Sequence, residues 1–460
     1  MHSVLAVAAN TIRQAIRLKI AVVFILLLLI LLPLMGFGMT GDGTVKGRLQ
    51  SFVSYGLSLT AFLLSILTIV SSIYTLSSDI EQKQIFMVLT KPVRRFELIL
   101  GKLFGILLLD FFLLGLFSVI IYSIAVVIPS YYKVNGYERE RLDNEFFTAR
   151  NAVTPELEDV SKEVDAAFEI LKKDNQLAEG LAQDRNFYKG TLEELTKRKQ
   201  LEKGAVSPGD KKVWEFHDIK PMADGENIFI RFKYDVSATP MNNQVFSRWE
   251  VGDIRQLGAS TRTGTPMYRF ERKDAVRTFF ELKVPADALA EDGYIAVTFY
   301  NAPSNGAVVI FSPQEGLALL YKADIFLFNY IRAALLIFAK LIFLGALGIL
   351  SATFLSFPVA IMLCFLVFFT GTISGFVLDS FDMILSDNVS MIYSYSIKLL
   401  IQAFPQFDKF NAAKYIVSAA LLDWSSLGKA FAGMVFIRST ILVGLSLLIF
   451  RGKEIAKIIV

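Results

Sequence analysis

Apolar residues along this chain come in blocks, and six of the blocks are long. They run from Ile20 to Phe37, Phe52 to Leu76, Leu103 to Ile128, Phe326 to Leu350, Phe357 to Val377 and Phe431 to Phe450. Each is close to the ~20 residues that a helix needs to cross ~30 Å of hydrocarbon. The pattern predicts a polytopic α-helical membrane protein with six transmembrane helices. Met391 to Phe404 is too short for a seventh and is interrupted by Lys398, with Pro405 behind it. Ahead of the first block, Val4, Leu5, Ala8, Ile12, Ala15 and Ile16 recur at helical spacing opposite Arg13, Arg17 and Lys19, so residues 1–19 read as an interfacial amphipathic helix. A cleaved signal peptide is the rival reading, but no small-residue cleavage site follows Phe37 and further spans come after, so the first span is expected to be retained.

Between the third and fourth blocks lies an insertion of two textures. Residues 129–205 are rich in Glu, Lys, Leu and Ala, and Thr154-Pro155 followed by Glu156 and Glu158 makes a good helix start. The leucines keep no strict heptad, so a helical hairpin is expected in place of a long coiled coil. Residues 206–322 switch to alternation, with short strands at Val213 to Phe216, Ile228 to Tyr234, Val245 to Trp249, Val276 to Val284, Ile295 to Tyr300 and Val308 to Phe311, which predicts a β-sandwich. Trp214 and Trp249 fall inside strands and read as core more than as a carbohydrate platform. Basic residues set the orientation. Arg13, Arg17 and Lys19 before the first span, and Lys83, Lys91, Arg94, Arg95 and Lys102 between the second and third, belong on the cytoplasmic side. The hairpin and sandwich are then extracytoplasmic, both termini are cytoplasmic, and residues 378–429 form an outer segment.

Composition adds little to the fold but removes functions. The chain of 460 residues is 54% hydrophobic with 40 phenylalanines, and its net charge of +4 is too small and too mixed for a nucleic-acid partner. Cys364 is alone, and His2 and His217 are far apart, so neither a disulfide nor a metal cluster is expected. A phosphate-cradling Gly-x-x-x-x-Gly-Lys-Ser/Thr loop is missing: Gly101-Lys102, Gly428-Lys429 and Gly452-Lys453 continue with Leu, Ala and Glu. No nucleophile elbow or zincin helix supports an enzyme reading. Three charges do lie within spans: Asp110, Lys340 and Arg438, each costing about 2.5 to 3.5 kcal/mol at mid-membrane if unpaired. A buried structural pair or snorkelling is the preferred explanation, ahead of a polar lining for a substrate path.

The stretch from Asp79 to Lys102 is a charged island between the second and third spans. Ile80, Ile85, Phe86 and Leu89 recur at helical spacing with Glu81, Lys83 and Gln84 between them, so Asp79 to Thr90 reads as a short amphipathic surface helix. Pro92 ends it in a corner, and Arg94 and Arg95 open the next span. The pattern of Glu81, then Leu89-Thr90-Lys91-Pro92-Val93-Arg94-Arg95, then Leu98 to Gly101-Lys102, resembles the cytoplasmic loop of type 2 ABC exporter permeases, with Gln84-Ile85 where that family has Gly-Thr. Leu350-Ser351 through Ser356-Phe357-Pro358-Val359-Ala360 and the basic end Arg451-Gly452-Lys453 resemble it at two further points. The resemblance implies a coupling helix that docks on a separate ATPase subunit, with Asp79, Glu81, Phe86, Leu89, Pro92, Arg94, Arg95 and Lys102 as the coupling residues. It also implies a second permease subunit, as homodimer or heterodimer, in the cytoplasmic (inner) membrane, and re-entrant or surface helices between the last two spans. This chain then binds no cofactor itself, and ATP and Mg belong to the partner. A mechanical alternative keeps the ATPase but moves the exterior domain against an envelope partner without transport.

Overall fold

The computed structural model describes residues 2–81, 94–173, 185–223, 225–238, 243–258, 264–384, 401 and 404–452. The chain divides into two compact units, one made of Met1–Ala149 with Ile325–Val460, the other of Arg150–Asp324.

The first unit is helical. Helix α1 (His2–Ile16) is followed by α2 (Lys19–Gly38), α3 (Val45–Glu81), α4 (Arg95–Tyr131) and α5 (Gly136–Glu145). After the second unit come α8 (Phe326–Phe354), α9 (Phe357–Ile384), α10 (Ala412–Val417) and α11 (Trp424–Phe431). The last runs through a π-helical stretch at Ala432–Ser439 into α12 (Thr440–Gly452). Six helices in this set are long and apolar enough to cross a membrane: α2, α3, α4, α8, the Phe357–Leu378 part of α9, and Trp424–Gly452. This is the makeup of a multi-pass membrane protein.

Helices α3 and α4 outrun their apolar blocks. Each has 37 residues, about 55 Å of helix, against ~30 Å of hydrocarbon. Of the flanking residues only Pro129, near the C-terminal end of α4, is a proline, and the Glu97 carboxylate accepts the Arg94 N–H at 2.9 Å, so α4 is capped nine residues before its apolar block begins. Small residues let neighbours close in. A Cβ on Gly348 of α8 would collide with Ser72 of α3, and one on Gly101 or Gly105 of α4 with Val7 or Ala8 of α1. One stripe of α1 is accordingly packed on protein, with Ala8, Thr11 and Ala15 buried, while Leu5 and Ile16 of its apolar set stay exposed.

The second unit carries helices α6 (Ser161–Lys173) and α7 (Arg185–Lys203), joined by Lys203 to Glu163 at 2.8 Å. Among the described residues there are eleven strands in three sheets. One sheet has the order β1 (Thr148–Val153), β11 (Leu317–Ile325), β4 (Ile228–Phe232) and β8 (Phe280–Val284). A second has β3 (Lys211–Phe216), β9 (Ile295–Asn301), β6 (Gln244–Gly252) and β7 (Tyr268–Ala275). A small third sheet has β2 (Ala205–Val206), β10 (Val309–Phe311) and β5 (Tyr234–Val236). Ile230, Phe232 and Leu319 of the first sheet share a core with Trp249, Val297 and Phe299 of the second. Trp249 is fully buried, 4.4 Å from the Phe232 ring centre and 4.9 Å from that of Phe299. Alternation missed β1, β2, β7 and β11. In β11 the first five residues are all buried, so no polar face marks the strand.

Candidate functional site

The residues that bracket 82–93 meet in one place. Asp79 sits two residues before the end of α3, and Lys102 lies two turns into α4. Their side chains, 7% and 1% exposed, form an ion pair at 2.6 Å. The Lys102 ammonium also donates to the Thr75 carbonyl at 2.6 Å, and Gln14 of α1 donates its Nε2–H to Asp79 Oδ1 at 3.1 Å. Lys102 had the sequence position of a docking residue. Its burial makes it a tie between helices, roofed by α1.

The other coupling residues are arranged around that tie. Glu81 is exposed at the end of α3, and Arg94 is exposed ahead of α4. Arg95 donates from Nη1 to the carbonyls of Phe450 (3.1 Å) and Arg451 (2.8 Å), joining the start of α4 to α12. Phe86, Leu89 and Pro92 lie outside the described residues.

Two more polar ties join α3 to α4 farther along. At mid-length Thr68 Oγ1 donates to the buried Asp110 carboxylate at 2.8 Å. At the end opposite 82–93, Arg48 donates to the Tyr132 hydroxyl at 2.8 Å and stacks 4.5 Å above its ring, while Lys46 pairs with Glu145 of α5. Burial pushes the Glu145 carboxyl up, but hydrogen bonds from Lys46 and Arg141 outweigh it and hold the group below its ordinary range. Polar contacts thus join α3 to α4 and the residue that follows it at three levels along their length.

The three charges within spans do not meet. Asp110 takes its bond from Thr68, whereas Lys340 places its ammonium 4.7 Å from the Phe368 ring centre and 4.9 Å from that of Phe407. Arg438 lies in the π-helical stretch and turns back along it, 3.7 Å from the position a Cβ would take on Gly433. Ser439 Oγ donates five residues back, to the Met434 carbonyl, at 2.8 Å. The direct pair that the sequence left open for Asp110 is replaced by a hydroxyl.

Several contributors carried no sequence signal. Gln14 reads as one more polar residue on a helix, and Thr68 and Thr75 as ordinary span residues. Asn329 and Arg332 are likewise buried, Asn329 holding residues 420–422 through Ala420 O and Leu422 N at 2.9 Å each. Asp408 is held by Ser374 Oγ at 3.1 Å, and its carboxylate occupies the place a Cβ would take on Gly375. The four-residue spacing of Gly371 and Gly375 in the fifth block was the one available hint.

Among the described residues no group of three or more His, Cys, Asp and Glu is arranged to hold a metal. The chain matches none of the protein families, curated proteins or solved structures with which it was compared.

Proposed function

We propose that this chain is the membrane subunit of an ATP-driven exporter of the type 2 ABC permease kind. The observation that carries the reading is the buried Asp79–Lys102 pair, which fixes the two ends of the 82–93 stretch to each other. That stretch lies within the segment that bears the family resemblance. In this reading residues 79–90 face the cytoplasm and dock on an ATPase subunit that binds ATP and Mg. A push on them cannot separate α3 from α4, because Asp79–Lys102, Thr68–Asp110 and Arg48–Tyr132 hold the two together. The pair therefore tilts as a unit and opens a path outward beside a second permease subunit. Energy enters through the partner, and the helices of this chain convert it to motion.

The test is a mild-detergent pull-down of the tagged chain, with mass spectrometry and an ATPase assay on what accompanies it. An ATPase that co-purifies and crosslinks to residues 79–90 supports the reading. Recovery of the chain with no nucleotide activity removes it.

One observation favours a second reading, in which the motion itself is the output. The far end of α4 leads through α5, which Lys46 ties to α3, directly into strand β1, so a tilt of the pair pulls on the start of the second unit's chain. Nucleotide-dependent movement of that unit in reconstituted vesicles, with no substrate crossing, would establish force transmission to an envelope partner in place of export.

A further inference from the structure

A cleft of about 360 Å³ opens in the helical unit between α3, α8, α9 and residues 407–413. Its polar lining comprises Ser58, Lys340, Thr372, Asp408 and Asn411. Lys340 and Asp408 share this wall without pairing: the ammonium faces the rings of Phe368 and Phe407, and the carboxylate accepts from Ser374. Aromatic faces stabilise an ammonium but do not neutralise it. The cleft thus holds one fixed cation and one fixed anion, each with capacity for a further charged partner. A ligand with a single charge meets one attractive and one repulsive wall, whereas a ligand with both charges satisfies both.

The mouth of the cleft sets one aromatic ring beside two hydroxyls. Phe62 is 41% exposed, and Ser58 and Thr372 beside it are exposed as well, on helices long enough to span a membrane. Ser58 and Phe62 also line a second, shallow groove of about 520 Å³ with Met35, Met39, Tyr55 and Leu59 between α2 and α3. That groove presents almost nothing polar. A charged cleft and an apolar groove that share two residues match a molecule with a charged head and an aliphatic chain.

From this continuity we infer that the Lys340–Asp408 cleft binds the head of a zwitterionic amphiphile, an acidic phosphate and an amine on one short linker, whose aliphatic chain lies in the Met35–Phe62 groove. Lys340 takes the phosphate, Asp408 the amine, and Asn411 and Thr372 supply hydrogen bonds between them. The inference rests on the exporter reading only in making this amphiphile the cargo; binding itself requires no ATPase.

The test uses the full-length chain in a neutral maltoside detergent, without any partner. Three probes are titrated by calorimetry: lysophosphatidylethanolamine, lysophosphatidylglycerol of the same chain length, and chain-free phosphoethanolamine. Saturable binding of the first is expected, with the other two weaker by about tenfold or more, since each lacks one charged contact or the apolar one. Lys340→Gln should weaken the first probe about tenfold, and Asp408→Asn should do so while narrowing the gap to the anionic probe. Because Asp408 also packs on Gly375, Leu59→Trp serves as a second variant, obstructing the groove and lowering affinity for both chain-bearing probes but not for phosphoethanolamine. Equal binding of both lysolipids by the unaltered chain, or undiminished binding by Lys340→Gln, overturns the inference. Either result leaves the coupling reading standing, and failure to recover an ATPase leaves this one standing.

Discussion

Asp79 Oδ2 and Lys102 Nζ lie 2.6 Å apart, joining the last described turn of α3 to the second turn of α4, with residues 82–94 between the two described helices. Removing one member strands a buried charge, which costs about 3–5 kcal/mol, while replacing both by apolar residues of similar size is often close to neutral. Asp79→Leu and Lys102→Met should therefore each lower stability in detergent, and the double variant should be more stable than either single one. Thermal unfolding of the four proteins closes the cycle. Additive losses would mean that the two side chains do not depend on each other. In the exporter reading, the double variant should also assemble with the ATPase yet stimulate it less, because the apolar pair holds the helices without fixing their register.

Glu81 is exposed at the end of α3, so its replacement touches surface chemistry and not packing. Glu81→Lys reverses one exposed charge, and the change in stability should stay within about 0.5 kcal/mol. Stimulation of the partner ATPase should nevertheless be abolished. A Glu81→Lys protein that assembles and couples normally would remove this residue from the coupling site.

Close packing of α3 on α8 depends on a missing side chain. A valine at Gly348 would drive its Cβ into Ser72 Oγ and against Ile73, whereas nothing lies within 4 Å of the corresponding position at Gly444 on α12. Gly348→Val should cost about 1–3 kcal/mol through overpacking, and Gly444→Val much less. Comparable unfolding midpoints for the two variants would show that α3 and α8 separate easily.

Six apolar blocks were legible because hydrocarbon imposes a length on whatever crosses it, and that constraint is written into composition alone. The start of α4 was legible at Arg94 and Arg95, where Glu97 caps the helix, but that of α3 was not, since Val45 to Ser51 are polar enough to read as a turn. Half of the tie at 82–93 was also readable: Asp79 and Lys102 stood out as charges at the edge of apolar blocks. Their pairing did not, because it depends on two helices meeting across 23 residues and on Gln14 arriving from a third. Lys340 stood out for the same reason as Asp110, but Asp408 had no apolar surroundings in sequence to mark it. Only the fold brings it to the cleft that Lys340 lines.

In the second unit a titration can be read in advance. Arg255 donates to Asp253 at 2.8 Å and to Asp292 at 2.7 Å, and its guanidinium lies 3.9 Å from the Tyr294 ring centre. These bonds from Arg255 hold both carboxyls below their ordinary range. A carboxyl whose folded value is depressed adds stability above its unfolded value, about 3.9, and that contribution fades as pH falls through the lower folded value. The melting temperature of the unit should hence hold steady from about pH 7 to 5 and decline below about 4. Trp214 and Trp249 lie in this unit and Trp424 in the other, so fluorescence in a Trp424→Phe background reports the second unit alone. Arg255→Gln should lower the melting temperature at neutral pH. The gap to the unaltered protein should shrink on acidification, because protonated carboxyls no longer distinguish the two. Parallel curves across the whole range would show that Arg255 acts through its stacking on Tyr294 and not through the carboxylates.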